Sequence, residues 1–135
     1  MDYFKSFSSK LLNLREDDFE EAALELFDFQ AKHNKVYQAF IKARKISVQQ
    51  VKNIQQIPFL PIQFFKSAQV VSGHESQFNK FYSSSGTTGI ITSRHYIWSE
   101  AFYLDHAQRL FEQQYGSLQN YHVLGLLPSY LEREG

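Results

Sequence analysis

Seven consecutive small residues, Ser83 to Gly89, interrupt the stretch FYSSSGTTGIITSRHY that runs from Phe81 to Tyr96. Gly86 and Gly89 admit backbone conformations closed to other residues and let the main chain approach a ligand closely. The run is therefore a loop, and its flanks set how it is held. Before it, FNKFY (Phe78 to Tyr82) reads as a short strand, and after it ITSRHYIW (Ile91 to Trp98) reads as a second strand rich in β-branched and aromatic residues. A strand, loop, strand unit is the feature around which the rest of the chain has to fold.

Helices are predicted on both sides of that unit. Asp17 or Asp18 can cap a segment in which Phe19, Ala22, Ala23, Leu26 and Phe27 recur at three- and four-residue spacing, with Glu20 and Glu21 favouring the helix dipole. After a break near His33 and Asn34, Val36, Tyr37, Phe40 and Ile41 repeat the pattern, and Lys42, Arg44 and Lys45 supply cations at the C-terminal end. In IPFLPIQFF, Pro58 and Pro61 exclude a regular helix interior and make an extended connector with apolar anchors. Beyond the second strand, Ser99 is a candidate N-cap for a helix with Tyr103, Ala107, Leu110 and Phe111 on one face, and Gly116 sits where it would stop. YHVLGLL, Tyr121 to Leu127, reads as a buried strand.

The fold class is thus α/β: N-terminal helices, then a strand, loop, strand, helix, strand unit. A chain of 135 residues buries one modest core, so residues 1–135 are expected to form a single domain, with a helical part over 1–50 and a strand, loop and helix part over 51–135. It ends on PSYLEREG, close behind the last expected strand, which points to an N-terminal fragment of a larger domain. Thirteen Phe and eight Tyr are more bulky surface than so small a domain easily hides, and a fragment exposing part of it would self-associate.

Charge and cysteine content exclude several functions. Fourteen basic and fourteen acidic residues cancel, without a Lys or Arg cluster able to track a nucleic acid. With no cysteine there is no disulfide, thiolate metal site or thiol nucleophile, and the composition suits a reducing cytoplasm. No apolar run has the length of a membrane span or the form of a signal peptide. His33, His74, His106 and His122 lack metal-ligand spacing, so no metal site is assigned.

The loop itself suggests a chemistry. Its successive N–H groups can form a concave anion site, and the hydroxyls of Ser83, Ser84, Ser85, Thr87 and Thr88 can donate to phosphate oxygens or sit in the shell of Mg²⁺. It is not a Walker loop, because the spacing and the lysine are absent, nor a nucleophile elbow, because a glycine would be needed where Ser83 stands.

The motif YSSSGTTG closely resembles the phosphate-binding signature of the adenylate-forming enzymes, the acyl- and aryl-CoA ligase superfamily. The flanks IPFLPIQFFKSAQV and TSRHYIWS are most similar to the acyl-protein synthetases of bacterial bioluminescence (long-chain-fatty-acid luciferin-component ligases), over roughly Asn34 to Gly135. The resemblance implies part of a large N-terminal adenylating domain that binds ATP and Mg²⁺. It also implies activation of a carboxylic acid, a long-chain fatty acid in that family, as acyl-AMP for transfer to a thiol acceptor. By position it assigns phosphate contacts to Ser84, Ser85, Gly86, Thr87, Thr88 and Gly89, with catalytic hydroxyls on Thr87 and Thr88. The later adenine and ribose motifs and the lid lysine of the superfamily are absent, so the fragment alone is expected to be inactive. A stand-alone nucleotide- or acyl-binding module and a purely structural or interaction domain are the alternatives.

One departure from the superfamily pattern assigns a further residue. Where many members carry x-Pro-Lys after the last glycine, this chain has Ile90, Ile91 and Thr92. Arg94 shares the strand face of Thr92 and can supply the missing cationic end. His95 projects from the opposite face with Ile91 and Ile97 and is expected to be a hydrogen-bonded core residue.

Overall fold

The computed structural model of the protein describes residues 3–84 and 92–125. They are rich in helix and carry one two-stranded antiparallel sheet, in keeping with an α/β chain. Two compact units, Met1–Glu100 and Ala101–Gly135, divide it. No helix among the described residues is long and apolar enough to cross a membrane.

The first unit opens with a helix the sequence reading did not assign, α1 (Tyr3–Leu12). Its apolar face is aromatic. Phe7 is buried, the Tyr3 ring stacks on Phe29 with centroids 3.5 Å apart, and Phe4 meets Phe78 edge-on and Trp98 face-on. Part of the aromatic excess is thus taken up in a ring cluster joining the N-terminus to the strand region.

A 3-10 turn, Glu16–Asp18, leads into α2 (Phe19–His33). Glu20 and Glu21 lie in the first turn as expected, but the expected aspartate cap fails. Asp17 lies inside the 3-10 turn, and Asp18 has helical angles (φ −91°, ψ −4°) where a capping side chain needs extended backbone. Its carboxylate accepts from Arg15 Nε at 2.8 Å instead, and that hydrogen bond holds it below the usual carboxylate range. Of the expected stripe, Ala22 and Phe27 are buried, while Phe19 is 53% exposed. A helical side chain covers the turn ahead of it, and for Phe19 that turn is the solvated acidic one.

The break at Asn34 falls where expected. Its backbone is extended (φ −104°, ψ 106°) and its Oδ1 accepts from the Tyr37 N–H at 3.0 Å, capping α3 (Lys35–Ala43). Phe27, Ala31, Tyr37 and Ile41 form the core between α2 and α3. Ile46, Val48, Val51, Ile57 and Leu60 cover it from the connector, which contains two 3-10 turns, Val48–Gln50 and Ile54–Gln56. The Tyr37 hydroxyl donates to the Pro58 carbonyl at 2.6 Å, and burial pushes its pKa up to about 12. The proline segment is extended at Ile57 as expected, yet Phe64–Ser67, past both prolines, winds into a short helix, α4.

Strands β1 (Lys80–Ser83) and β2 (Arg94–Ile97) occupy the predicted flanks. They pair antiparallel with Lys80 opposite Ile97, Phe81 opposite Tyr96, Tyr82 opposite His95 and Ser83 opposite Arg94. α4 packs against β2.

The second unit carries α5 (Glu100–Tyr115) from Ala101 onward, and the helix begins immediately after Ser99. Gly116 adopts φ +82° and its N–H closes the last turn on the Glu112 carbonyl at 2.9 Å, so the helix stops where glycine was expected to stop it. The Tyr103, Ala107, Leu110 and Phe111 face is not buried: Tyr103 and Leu110 are 51% and 53% exposed. The expected buried strand is also overturned for its described part. Tyr121 to Gly125 form no strand, and Val123 and Leu124 are 78% and 92% exposed. A strand needs a ladder partner, and among the described residues the only strands, β1 and β2, pair with each other. Leu126 and Leu127 lie outside the described residues.

Candidate functional site

The hairpin ladder runs one step beyond its strands. Ser84 N–H donates to the Ser93 carbonyl at 3.1 Å, continuing the pairing of Ser83 with Arg94. Ser93 returns two bonds to the Ser84 side chain: its N–H donates to Ser84 Oγ at 3.2 Å and its hydroxyl donates to the same oxygen at 2.9 Å. The two feet of the small-residue loop are thereby joined by three hydrogen bonds, and Ser93 is buried. Nε2 of His95 lies 3.2 Å from Ser93 Oγ. The His95 ring stacks on Phe65 from α4, with centroids 4.9 Å apart and planes 20° apart.

Two of the expected site residues are therefore visible, Ser84 at the loop foot and Arg94 on β2. Ser85, Gly86, Thr87, Thr88 and Gly89 lie outside the described residues. Arg94 is exposed, with its guanidinium carbon 5.2 Å from the centre of the Phe81 ring, a cation over an aromatic face. Thr92, Arg94 and Tyr96, spaced by two along one strand face, line a polar cleft of about 500 Å³ together with Phe65 and Lys66 from α4. His95 carries a hydrogen bond as expected but is not a core residue. Its ring stacks on Phe65 and yet stays exposed to solvent.

Phe65 and Tyr96 also line a second hollow, a largely apolar one of about 340 Å³ walled by Phe4, Val70, Val71 and Phe78. A cation-lined cleft and an apolar hollow thus adjoin through Phe65 and Tyr96. At the far end of the hairpin Lys80 pairs with Glu100, whose other oxygen accepts from the Tyr82 hydroxyl at 3.2 Å. The hydrogen bond from Lys80 holds the Glu100 carboxyl below the usual range. Among the described residues no group of three His, Asp or Glu side chains could hold a metal ion.

Sequence reasoning missed Lys66 and Ser93. Lys66 gave no signal, because it follows directly on the IPFLPIQFF connector and nothing in its spacing marks a helix there. Ser93 gave a weak one, sharing the strand face of His95 two residues on.

Among curated proteins and solved structures, no match to the chain was found. The family model described as "Acyl-protein synthetase, LuxE" matches residues 6–96, a span that starts ahead of Asn34 and takes in α1 from Ser6, α2 to α4, Ser84, Ser93 and both strands up to Tyr96. Since the match covers more than half of its 135 residues, the chain belongs to the LuxE acyl-protein synthetase family.

Proposed function

We propose that the chain is the N-terminal part of an ATP-dependent ligase that activates a carboxylic acid, a long-chain fatty acid by preference, as its acyl adenylate for transfer to a thiol acceptor in the cytoplasm. Membership of an acyl-protein synthetase family supports ligase chemistry. The observation that carries the rest is the adjacency of a cleft lined by Lys66, Thr92 and Arg94 to an apolar hollow through the shared Phe65 and Tyr96. Two cations and the Thr92 hydroxyl suit a polyphosphate, and an apolar wall suits an acyl chain.

In this reading a carboxylate oxygen attacks the α-phosphorus of ATP and the bond to the β-phosphate oxygen breaks. Acyl-AMP and pyrophosphate result. Mg²⁺ enters as part of the nucleotide substrate. Ser84, Ser85, Gly86, Thr87, Thr88 and Gly89 hold the β- and γ-phosphates, Thr87 and Thr88 bond the departing pyrophosphate, and Arg94 takes the place of the superfamily lysine. A thiol sulfur then attacks the acyl carbon and AMP leaves. The 135 residues contain no cysteine, so they do not supply that thiol.

Carboxylate-dependent exchange of labelled pyrophosphate into ATP by the full-length protein tests the proposal, with the best rate expected for a fatty acid. Thr87→Ala and Thr88→Ala should each lower kcat about tenfold to a hundredfold and change KM for ATP less, the loss expected of a bond that strengthens as charge develops. Near-wild-type kinetics for both variants would overturn the assignment of the loop.

A further inference from the structure

The bonds at the loop foot fix how Ser84 can meet a ligand. A hydroxyl oxygen accepts up to two hydrogen bonds and donates one. One acceptor position of Ser84 Oγ is filled by Ser93 N–H at 3.2 Å, and the Ser93 hydroxyl, 2.9 Å away, fills the other when Ser93 is the donor of that pair. What then remains is its own proton, so a group arriving at Ser84 has to be an acceptor. Ser93 can donate to Ser84 and still close its contact with His95, 3.2 Å away, only if Nε2 carries a proton and donates to Ser93 Oγ. A chain of donors then runs one way, from His95 to Ser93 to Ser84, each bond polarising the next. The stack on Phe65, with planes 20° apart, gives the His95 ring a fixed neighbour on one face.

We propose that Ser93 and His95 are positioning residues that hold the Ser84 hydroxyl as a donor toward a phosphate oxygen of the nucleotide. Neither residue touches the nucleotide; both act through Ser84. The inference rests on the adenylation reading above.

Two measurements test it. The first reads the imidazole tautomer in the full-length protein by long-range nitrogen–proton NMR at mildly alkaline pH. The Nε2–H tautomer is expected, whereas an Nδ1–H tautomer would make Nε2 an acceptor, reverse the chain and overturn the proposal. The second is pyrophosphate exchange with four variants. His95→Phe keeps a ring on Phe65 and loses the hydrogen bond, while His95→Gln loses the ring and keeps a donor near the Nε2 position. Ser93→Ala and Ser93→Thr divide the hydroxyl in the same way. His95→Phe and Ser93→Ala should raise KM for ATP about fivefold with kcat within twofold of wild type, and Gln and Thr should recover most of that loss. A merely structural role would lower the active fraction and so kcat, leaving KM unmoved. That result, or wild-type kinetics for His95→Phe, would overturn the positioning role while exchange by the wild type leaves adenylation standing. Should Ser93→Ala fail to fold, the His95 pair decides. Absence of exchange in the wild type with every acid tried overturns the adenylation reading, and the nucleotide role of Ser84 with it.

Discussion

Between Phe27 and Ile41 the chain is held by apolar contact, with Phe27, Ala31, Tyr37 and Ile41 each at most 7% exposed and connector side chains closing over them. In the strands β1 and β2 burial is slight and polar bonds carry more of the hold: all four residues of β1 are exposed, as are Arg94 and His95 of β2. The hairpin has neither the strand number nor the buried face to be stable alone. Its loop end is joined by Ser84 and Ser93, and its other end by Lys80, Tyr82 and Glu100. The difference separates two duties. Apolar packing is strong and indifferent to direction, so it suits the scaffold; hydrogen bonds are individually weak and directional, so they suit a site that has to aim a hydroxyl.

If that division holds, core substitutions should act on stability far more than hairpin substitutions do. Phe27→Ala has the largest expected effect, a loss of about 3–5 kcal/mol from side-chain burial and the cavity left behind, read as a shift in the urea midpoint. A cost below about 1 kcal/mol would place the stability of the unit elsewhere. Tyr37→Phe tests the one polar group inside the core cluster. The folded pKa of Tyr37 is raised from 10.0 to about 12, so the stability it supports is complete below pH 10 and is lost as pH rises through about 12. Phenylalanine there should cost about 1–2 kcal/mol at neutral pH, through the hydrogen bond to Pro58, and should flatten the alkaline fall in stability. An unchanged alkaline fall would mean that other groups carry it. Glu100→Gln, in the hairpin contact, should have the smallest effect. Its carboxyl is held below the ordinary 4.5, so its contribution is present above that value and is lost as pH falls through the folded value. Melting temperatures of variant and wild type should differ slightly at neutral pH and converge in acid and in high salt, because the pair with Lys80 is exposed. A gap that persisted in acid would rule out the ion pair as its source.

How much was legible followed from the range of each interaction. Asn34 caps α3 through a residue three positions on, and Gly116 ends α5 on a carbonyl four positions back, so both were visible as local chemistry. Asp18 shows the limit of such reading. The same residue type serves as a cap or as an arginine partner, and the backbone set by the preceding turn chose the second. Tyr121 to Gly125 failed for a different reason, since an apolar run states that a strand wants covering and not what covers it.

Local sequence was enough to set the strands on either side of the small-residue run, the break between α2 and α3, and the shared face of Thr92 and Arg94. Each depends on neighbours a few residues apart, where residue type and backbone geometry are tightly coupled. Tertiary structure alone decided that Lys66 faces the same cleft as Arg94. It also decided that Ser93, nine residues from Ser84, meets that hydroxyl through both its N–H and its own Oγ, and that His95 leans on Phe65, thirty residues away. Periodicity records which side of an element a residue occupies, but which polar groups meet is set only when the elements close on one another and every buried donor has to find an acceptor.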